Sequence, residues 1–254
     1  MDLSRVKNPF EIAVSFIESC RNMTEMKELK HELNSLTSKI GFRWYALTRV
    51  AAASKGEHRA IRLTNYPDTW RKIYDARGFH RNDPVVLALE NTALPITWDQ
   101  IPTSTTVTKV QVEILHAAAD HGLRYGISVP VRIPGEHQGL VSFASDDENA
   151  LSTESFALAS VIAPVAFETA RRITARRNGS RGKTTPSLTP RQKECLVLIA
   201  QGKSDWEAGQ ILGLSAQTVH GHVEAVRARY GVRRRTQLIV QALFCGQITF
   251  PEIL

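Results

Sequence analysis

Ser204-Asp205-Trp206-Glu207-Ala208-Gly209-Gln210-Ile211-Leu212-Gly213-Leu214-Ser215-Ala216-Gln217-Thr218-Val219-His220 reads as a short helix, a glycine turn and the start of a longer helix. Ser204 with Glu207 three residues on forms a capping box: the hydroxyl accepts a backbone N–H left over at the helix start, and the carboxylate reaches back to the cap. Gly213 ends the first helix and Ser215 caps the next, in which Val219, Val223, Val226 and Tyr230 recur at the spacing of one buried face. Working outward, Leu188-Thr189-Pro190-Arg191-Gln192 opens an earlier helix with a cap, a proline at the first position and a second capping box, and that helix stops at Gly202. A fourth helix begins near Thr236 with Leu238, Ile239, Ala242 and Leu243 inward. Short helix, tight turn and capped longer helix make a helix-turn-helix, whose second helix can enter the major groove of DNA. Its outer face carries Gln217, Thr218, His220, Gly221, Glu224 and Arg227. Polar residues near the helix start can reach base edges, Lys203, Arg227 and Arg229 can neutralise phosphates, and Gly221 permits close approach. A helical bundle with a polar surface and no nucleic acid fits the same pattern.

Charge separates these readings. The 254 residues carry a net +7, but from Arg171 onward there are fourteen Lys/Arg against five Asp/Glu, whereas the remaining 170 residues hold eighteen against twenty. A near-neutral body with a basic C-terminal third points to a polyanion met by that third alone. Arg171 to Pro186 passes from a helix end into basic Gly/Ser/Thr/Pro composition, which is that of a linker. The expected organisation is therefore a domain over 1–173, a linker over 174–186 and a helix-turn-helix domain over 187–254. With 43% apolar residues and no run approaching eighteen, a membrane span is not expected. The three cysteines are odd in number and widely spaced, which argues against a disulfide framework or zinc site and fits a reducing cytoplasm.

Upstream, the pattern is mixed. Phe10 to Leu36 reads as one or two amphipathic helices, and Gly41–Ala53 and Arg59–Thr64 alternate as strands. Pro67–Ala76, Pro84–Asn91 and Val107–His121 read as helices, Gly126–Ile133 and Gly139–Ser145 as a hairpin joined through Pro134-Gly135, and Leu151–Arg172 as a long closing helix. Helices on both faces of a central sheet make an α+β fold, an α-β-α sandwich able to enclose a ligand. Tyr66, Trp70 and Tyr74 lie four apart, an aromatic stripe that core packing alone would explain; Asp83-Pro84 would serve equally as a helix start.

The run Leu-Thr-Pro-Arg-Gln-Lys-Glu-Cys-Leu from Leu188, then Ala-Gln-Gly-Lys-Ser, Ile-Leu-Gly-Leu-Ser, Gln-Thr-Val and Tyr-Gly-Val, resembles the DNA-binding domain of the LuxR family. Departures are Gln192 where that family usually has Glu, Ala208-Gly209 for Ile-Ala and Tyr230 for Leu; Gly209 inside a short helix should cost about 1 kcal/mol relative to Ala. The upstream elements Tyr66-Pro67-x-x-Trp70-x-x-x-Tyr74, Asp83-Pro84, Trp98 and Gly126 resemble the signal-binding domain of acyl-homoserine-lactone receptors. The resemblance implies an N-acyl-homoserine lactone as signal ligand and no cofactor. It implies that Trp70 donates to the lactone carbonyl, Asp83 accepts the amide N–H and Tyr66 donates to the acyl carbonyl. Ser142 would add a hydrogen bond at that carbonyl, and Tyr74 and Trp98 would wall the ring. Trp44, Val85, Ile127 and Val129 are expected in the acyl-chain pocket. It further implies a homodimer on an inverted-repeat promoter element, with RNA polymerase as a partner and His220 and Glu224 at base-reading positions.

An acyl-transferring or hydrolysing enzyme is the rival of another class. His80 and Asp83 are near in sequence, but there is no Gly-x-Ser-x-Gly elbow and no metal-ligand cluster. A regulator of the same fold answering another small molecule or a protein partner remains open.

Overall fold

The computed structural model of the chain describes residues 8–49, 61–90, 92–101, 107–134, 138–177 and 187–254. It forms two compact units, whose main division in sequence falls between Gly179 and Ser180.

The first unit opens with α1 (Pro9–Asn22) and α2 (Met26–Lys39). Asn8 caps α1, with Pro9 at its first position, and Glu25 with Glu28 forms a capping box on α2. Then come β1 (Trp44–Arg49), β2 (Arg62–Thr64), α3 (Asp68–Ala76), α4 (Pro84–Ala88), β3 (Ile96–Thr97), α5 (Lys109–Ala119), β4 (Tyr125–Val131), β5 (Gly139–Ser145) and α6 (Thr153–Arg177). The strands make one antiparallel sheet in the order β2-β1-β5-β4-β3.

Register divides the side chains between two faces, because successive residues of a strand point oppositely. Ala46, Ser142 and Ser128 stand abreast across β1, β5 and β4, flanked on the same face by Trp44, Ala144 and Gly126. Tyr45, Phe143 and Ile127 line up on the other face. That second face is closed by α2 and α6, with α1 packed on α6. Phe16, Leu29, Leu33, Ile162, Phe167 and Phe143 are almost wholly buried, as their helical and strand periodicities predict. Arg172 of α6 donates to the backbone carbonyls of Cys20 and Arg21, satisfying acceptors left over at the end of α1. The first face is covered by α3, α4 and α5 through a separate cluster that includes Trp70, Phe79, Val85, Trp98, Ile114 and Leu140.

Helix α6 and strand β3 differ from the sequence reading. Helix α6 runs to Arg177, five residues beyond Arg172, and so takes the first four residues of the expected linker; Thr174 sustains it by donating to the Ala170 carbonyl at 2.7 Å. Residues 178–186, the rest of that linker, lie outside the described residues, as do 50–53 and 59–60 of the two expected strands. Strand β3, of two residues, was too short to show alternation and exists through its pairing with Ser128 and Ile127.

The second unit is all helical: α7 (Pro190–Ala200), α8 (Asp205–Leu212), α9 (Ala216–Tyr230), α10 (Arg235–Phe244) and a single added turn, α11 (Phe250–Ile253). Both expected capping boxes form, Thr189 with Gln192 and Ser204 with Glu207, and Ser215 accepts the Thr218 N–H at 3.0 Å. Gly213 is left-handed, with φ of 67°. Cys195, Leu196, Ala208, Val219, Val223, Val226 and Leu238 make the core. Gly209 has a reason that its helix propensity hides: a Cβ there would sit 2.6 Å from the Leu214 carbonyl oxygen, so the glycine lets α8 lie against the turn that launches α9.

Candidate functional site

Helices α3, α4 and α5 stand off the sheet around a cavity of about 350 Å³. Tyr66, Trp70, Tyr74, Asp83, Trp98 and Ser142 all line it, so six residues spread over 77 positions of sequence converge on one space. Local chemistry explains each placement. Tyr66 precedes α3, with its N–H held by Thr64 Oγ1 at 3.0 Å. Trp70 is buried on the inner face of α3, its ring packed against Tyr74, Phe79 and His121 at centroid distances of 5.6, 6.0 and 5.8 Å. Asp83 caps α4 by accepting the Val85 N–H at 2.9 Å. Trp98 lies in a 3-10 turn (Trp98–Gln100) and packs over Gly126, where a Cβ would fall 2.5 Å from the indole. Only glycine at that position on β4 leaves room for the ring.

Two hydrogen-bond systems enter the cavity. In the first, the Tyr74 hydroxyl donates to Asp83 Oδ2 at 2.7 Å while Oδ1 caps the helix. Tyr74, expected as a ring wall, therefore also orients the carboxylate. Burial pushes the Asp83 carboxyl above the usual carboxylate range, against the hydrogen bonds from Tyr74 and the Val85 and Val86 amides that favour its charged form. A carboxylate offers about four acceptor positions, so these three donors leave one for a ligand N–H. In the second system, Trp98 Nε1 donates to Ser128 Oγ at 2.8 Å and Ser128 Oγ lies 2.7 Å from Ser142 Oγ, which lines the cavity together with Tyr66. Burial raises the Tyr66 phenol well above its ordinary value, with Asp83 adding to the effect, so at neutral pH it is a proton donor.

Val85 lines the cavity as expected, but Ile127 and Val129 do not: strand alternation turns them to the opposite face of the sheet from Ser128. Trp44 packs against the surrounding cluster without lining the space itself. Ser128, fully buried, is the residue that sequence reasoning missed. The available signal was a hydroxyl two residues after Gly126 in an otherwise apolar strand, hence on the face of Trp98 and Ser142.

On the second unit, Lys203, Gln217, Thr218, His220 and Gly221 are exposed, and Glu224 and Arg227 are half-buried. A Cβ at Gly221 would meet nothing within 4 Å, so that face of α9 is open. Two of these side chains are tied down. Arg227 forks onto Glu224, with Nε at 2.9 Å, and also donates to the Arg233 carbonyl. His220 Nδ1 lies 3.2 Å from Asp205 Oδ2 and 3.0 Å from Arg235 Nη2, beside a two-pronged Arg235–Asp205 pair at 2.8 and 2.7 Å. Arg229, expected on phosphates, donates to the Ser187 carbonyl and to Gln192.

Residues 25–171 match the autoinducer binding domain, and residues 186–242 match the bacterial regulatory proteins of the luxR family. Across 97% of both chains, the sequence is 29% identical to the transcriptional activator protein LuxR of Aliivibrio fischeri. It is 30% identical to the transcriptional activator protein VanR of Vibrio anguillarum, over 91% of this chain and 95% of that one. Among solved structures, SdiA of Escherichia coli superposes with a TM-score of 0.66 at 22% identity, covering 97% of this chain and 100% of that chain. A second SdiA structure, in complex with octanoyl-rac-glycerol, gives 0.65 over 96% of this chain and 98% of that one. The fold is shared at these identities.

Proposed function

The chain belongs to the LuxR family of quorum-sensing, autoinducer-binding transcription regulators, and from that premise we propose that its ligand is an N-acyl-homoserine lactone held by Tyr66, Trp70, Asp83 and Ser142. One observation carries this reading: a single cavity that offers a spare acceptor on Asp83 and a buried phenol donor on Tyr66. An acyl amide presents the complement, an N–H donor next to a carbonyl acceptor, and buried polar groups require such pairing. Trp70 donates its indole N–H to the lactone carbonyl, and Tyr74 and Trp98 wall the ring. The signal is bound without being turned over and with no cofactor.

The protein acts in the cytoplasm; no helix among the described residues is long and apolar enough to cross a membrane. It binds an inverted-repeat promoter element as a homodimer and works through RNA polymerase, since paired helix-turn-helix units read half-sites related by a two-fold axis. Lys203, Gln217, Thr218, His220, Gly221, Glu224 and Arg227 form the DNA-facing surface, with domains over 1–173 and 187–254 on either side of the linker 174–186.

Calorimetric titration of the full chain with lactones of four to twelve acyl carbons tests the ligand assignment. Binding by at least one of them, lost in Trp70→Phe and Asp83→Asn, is the expected result. A wild type that ignores every lactone but takes octanoylglycerol, which presents an ester carbonyl and hydroxyl donors, would instead favour the same-fold regulator of a different small molecule. Sedimentation and gel-shift measurements on inverted and single half-sites check the dimer.

A further inference from the structure

Proton bookkeeping along the second hydrogen-bond system gives it a direction. An indole N–H donates and never accepts, so Ser128 Oγ must be the acceptor in its 2.8 Å bond with Trp98. Ser128 is fully buried, and the hydroxyl 2.7 Å away on Ser142 is the group in reach of its single proton. Ser142, its oxygen serving as that acceptor, has its own proton left to give, and it lines the cavity. In the reversed order Ser142 would donate to Ser128, leaving the Ser128 proton buried without a taker, which is the costly arrangement.

We propose that Ser128 is a positioning residue for ligand recognition. Together with Trp98 it forms a one-way hydrogen-bond relay, Trp98 to Ser128 to Ser142, that fixes the Ser142 hydroxyl as a donor into the cavity. The relay selects ligands that bring a hydrogen-bond acceptor, a carbonyl oxygen, to Ser142, and disfavours those that bring a donor there. This deepens the lactone reading and rests on it for the identity of the carbonyl. The geometry that builds the relay is independent of any ligand: β4 and β5 pair Ser128 directly with Ser142, and Gly126 admits the indole above them.

The experiment has a ligand-free arm and a ligand arm on the full chain. In the unliganded protein, the relay holds the Trp98 indole N–H, so its NMR signal exchanges slowly with solvent, and Ser128→Ala speeds that exchange while Ser128→Thr restores it. An indole signal equally fast in wild type and Ser128→Ala overturns the relay whatever ligand the protein takes. In the ligand arm, N-octanoyl-homoserine lactone is compared with N-octyl-homoserine lactone, in which a CH₂ replaces the acyl carbonyl. Ser128→Ala weakens the octanoyl compound by about tenfold. It leaves affinity for the octyl compound within about twofold, and Ser128→Thr recovers most of the octanoyl affinity. Equal losses for both compounds would mean a packing role and would sink the proposal. A wild type blind to both compounds, yet with the slow, Ser128-dependent indole signal, would fail the lactone reading and leave the relay standing.

Discussion

Asp83 meets opposing demands. As a buried carboxylate it destabilises the empty fold, and as an acceptor it would hold the amide of the proposed ligand. Its raised pKa sets the sign of the first effect: the folded state binds the proton more tightly than the unfolded chain, so stability falls as pH rises from about 4 toward the shifted value. Asn at this position keeps an acceptor for the helix cap and has no charge to desolvate. The expected outcome for Asp83→Asn is a ligand-free protein more thermally stable than wild type at pH 7 to 8, with the difference shrinking toward pH 4. Melting curves across that range check it, and a variant less stable at pH 8 would show that the carboxylate is favoured after all. The same variant should bind lactone roughly 5- to 150-fold more weakly, the equivalent of about 1–3 kcal/mol for an unmet buried donor. Gly126 gives a second test at this scale. A methyl group there drives Trp98 from its seat by overlap with the indole. Gly126→Ala should lower stability by about 1–3 kcal/mol, the usual range for overpacking, and abolish ligand-dependent stabilisation.

Among elements, the helix-turn-helix is held by side chains at its ends as much as by its core. Asp205, at the first position of α8, takes both prongs of Arg235 at the start of α10, and Arg235 holds the Asp205 carboxyl below its ordinary value. That contribution is present above about pH 4 and is lost as pH falls through the lowered pKa. Both groups are partly exposed, so solvent screening limits the pair; Asp205→Asn should cost about 1 kcal/mol, and Asp205→Asn with Arg235→Ala should cost less than the sum. Additive losses in urea melts would show that the two do not act together. This unit was legible in the sequence because its signals are local: Ser204 with Glu207, Thr189 with Gln192 and Ser215 each report a helix start within three residues. The cavity was legible only in part. Tyr66, Trp70 and Tyr74 sit at helical spacing and Asp83 caps its own helix, but which strand face each residue takes depends on register, which only pairing decides. Hence Ile127 was expected inside and Ser128 was overlooked, although they are neighbours. Gly209 was weighed by propensity alone, whereas its contact is with a carbonyl five residues on.

Over the whole molecule, charge and burial divide the two kinds of binding. The basic excess lies from Arg171 onward, while the cavity proposed for a neutral lactone lies in a part of the chain with eighteen Lys/Arg against twenty Asp/Glu. DNA affinity should therefore fall steeply with salt, because each neutralised phosphate releases condensed counterions and adds about 0.9 to the slope of log affinity against log salt. Lys203→Ala should reduce that slope by about one and weaken all sequences alike, whereas Thr218→Ala should lower affinity for the promoter element more than for unrelated DNA and leave the slope unchanged. Arg227 separates two roles: paired with Glu224 and the Arg233 carbonyl, it stabilises α9 from within. Arg227→Ala is expected to lower the melting temperature of the DNA-binding unit more than it lowers the salt slope. Lactone affinity should stay within about twofold between 50 and 500 mM salt, since neither the ligand nor its buried partners exchange counterions on binding. Lactone at a hundred times its Kd should add about 2.7 kcal/mol to the stability of the folded state at either salt concentration. A lactone-induced shift in melting temperature that collapses at 500 mM would place the ligand on the basic surface and not in the cavity, and would overturn this division.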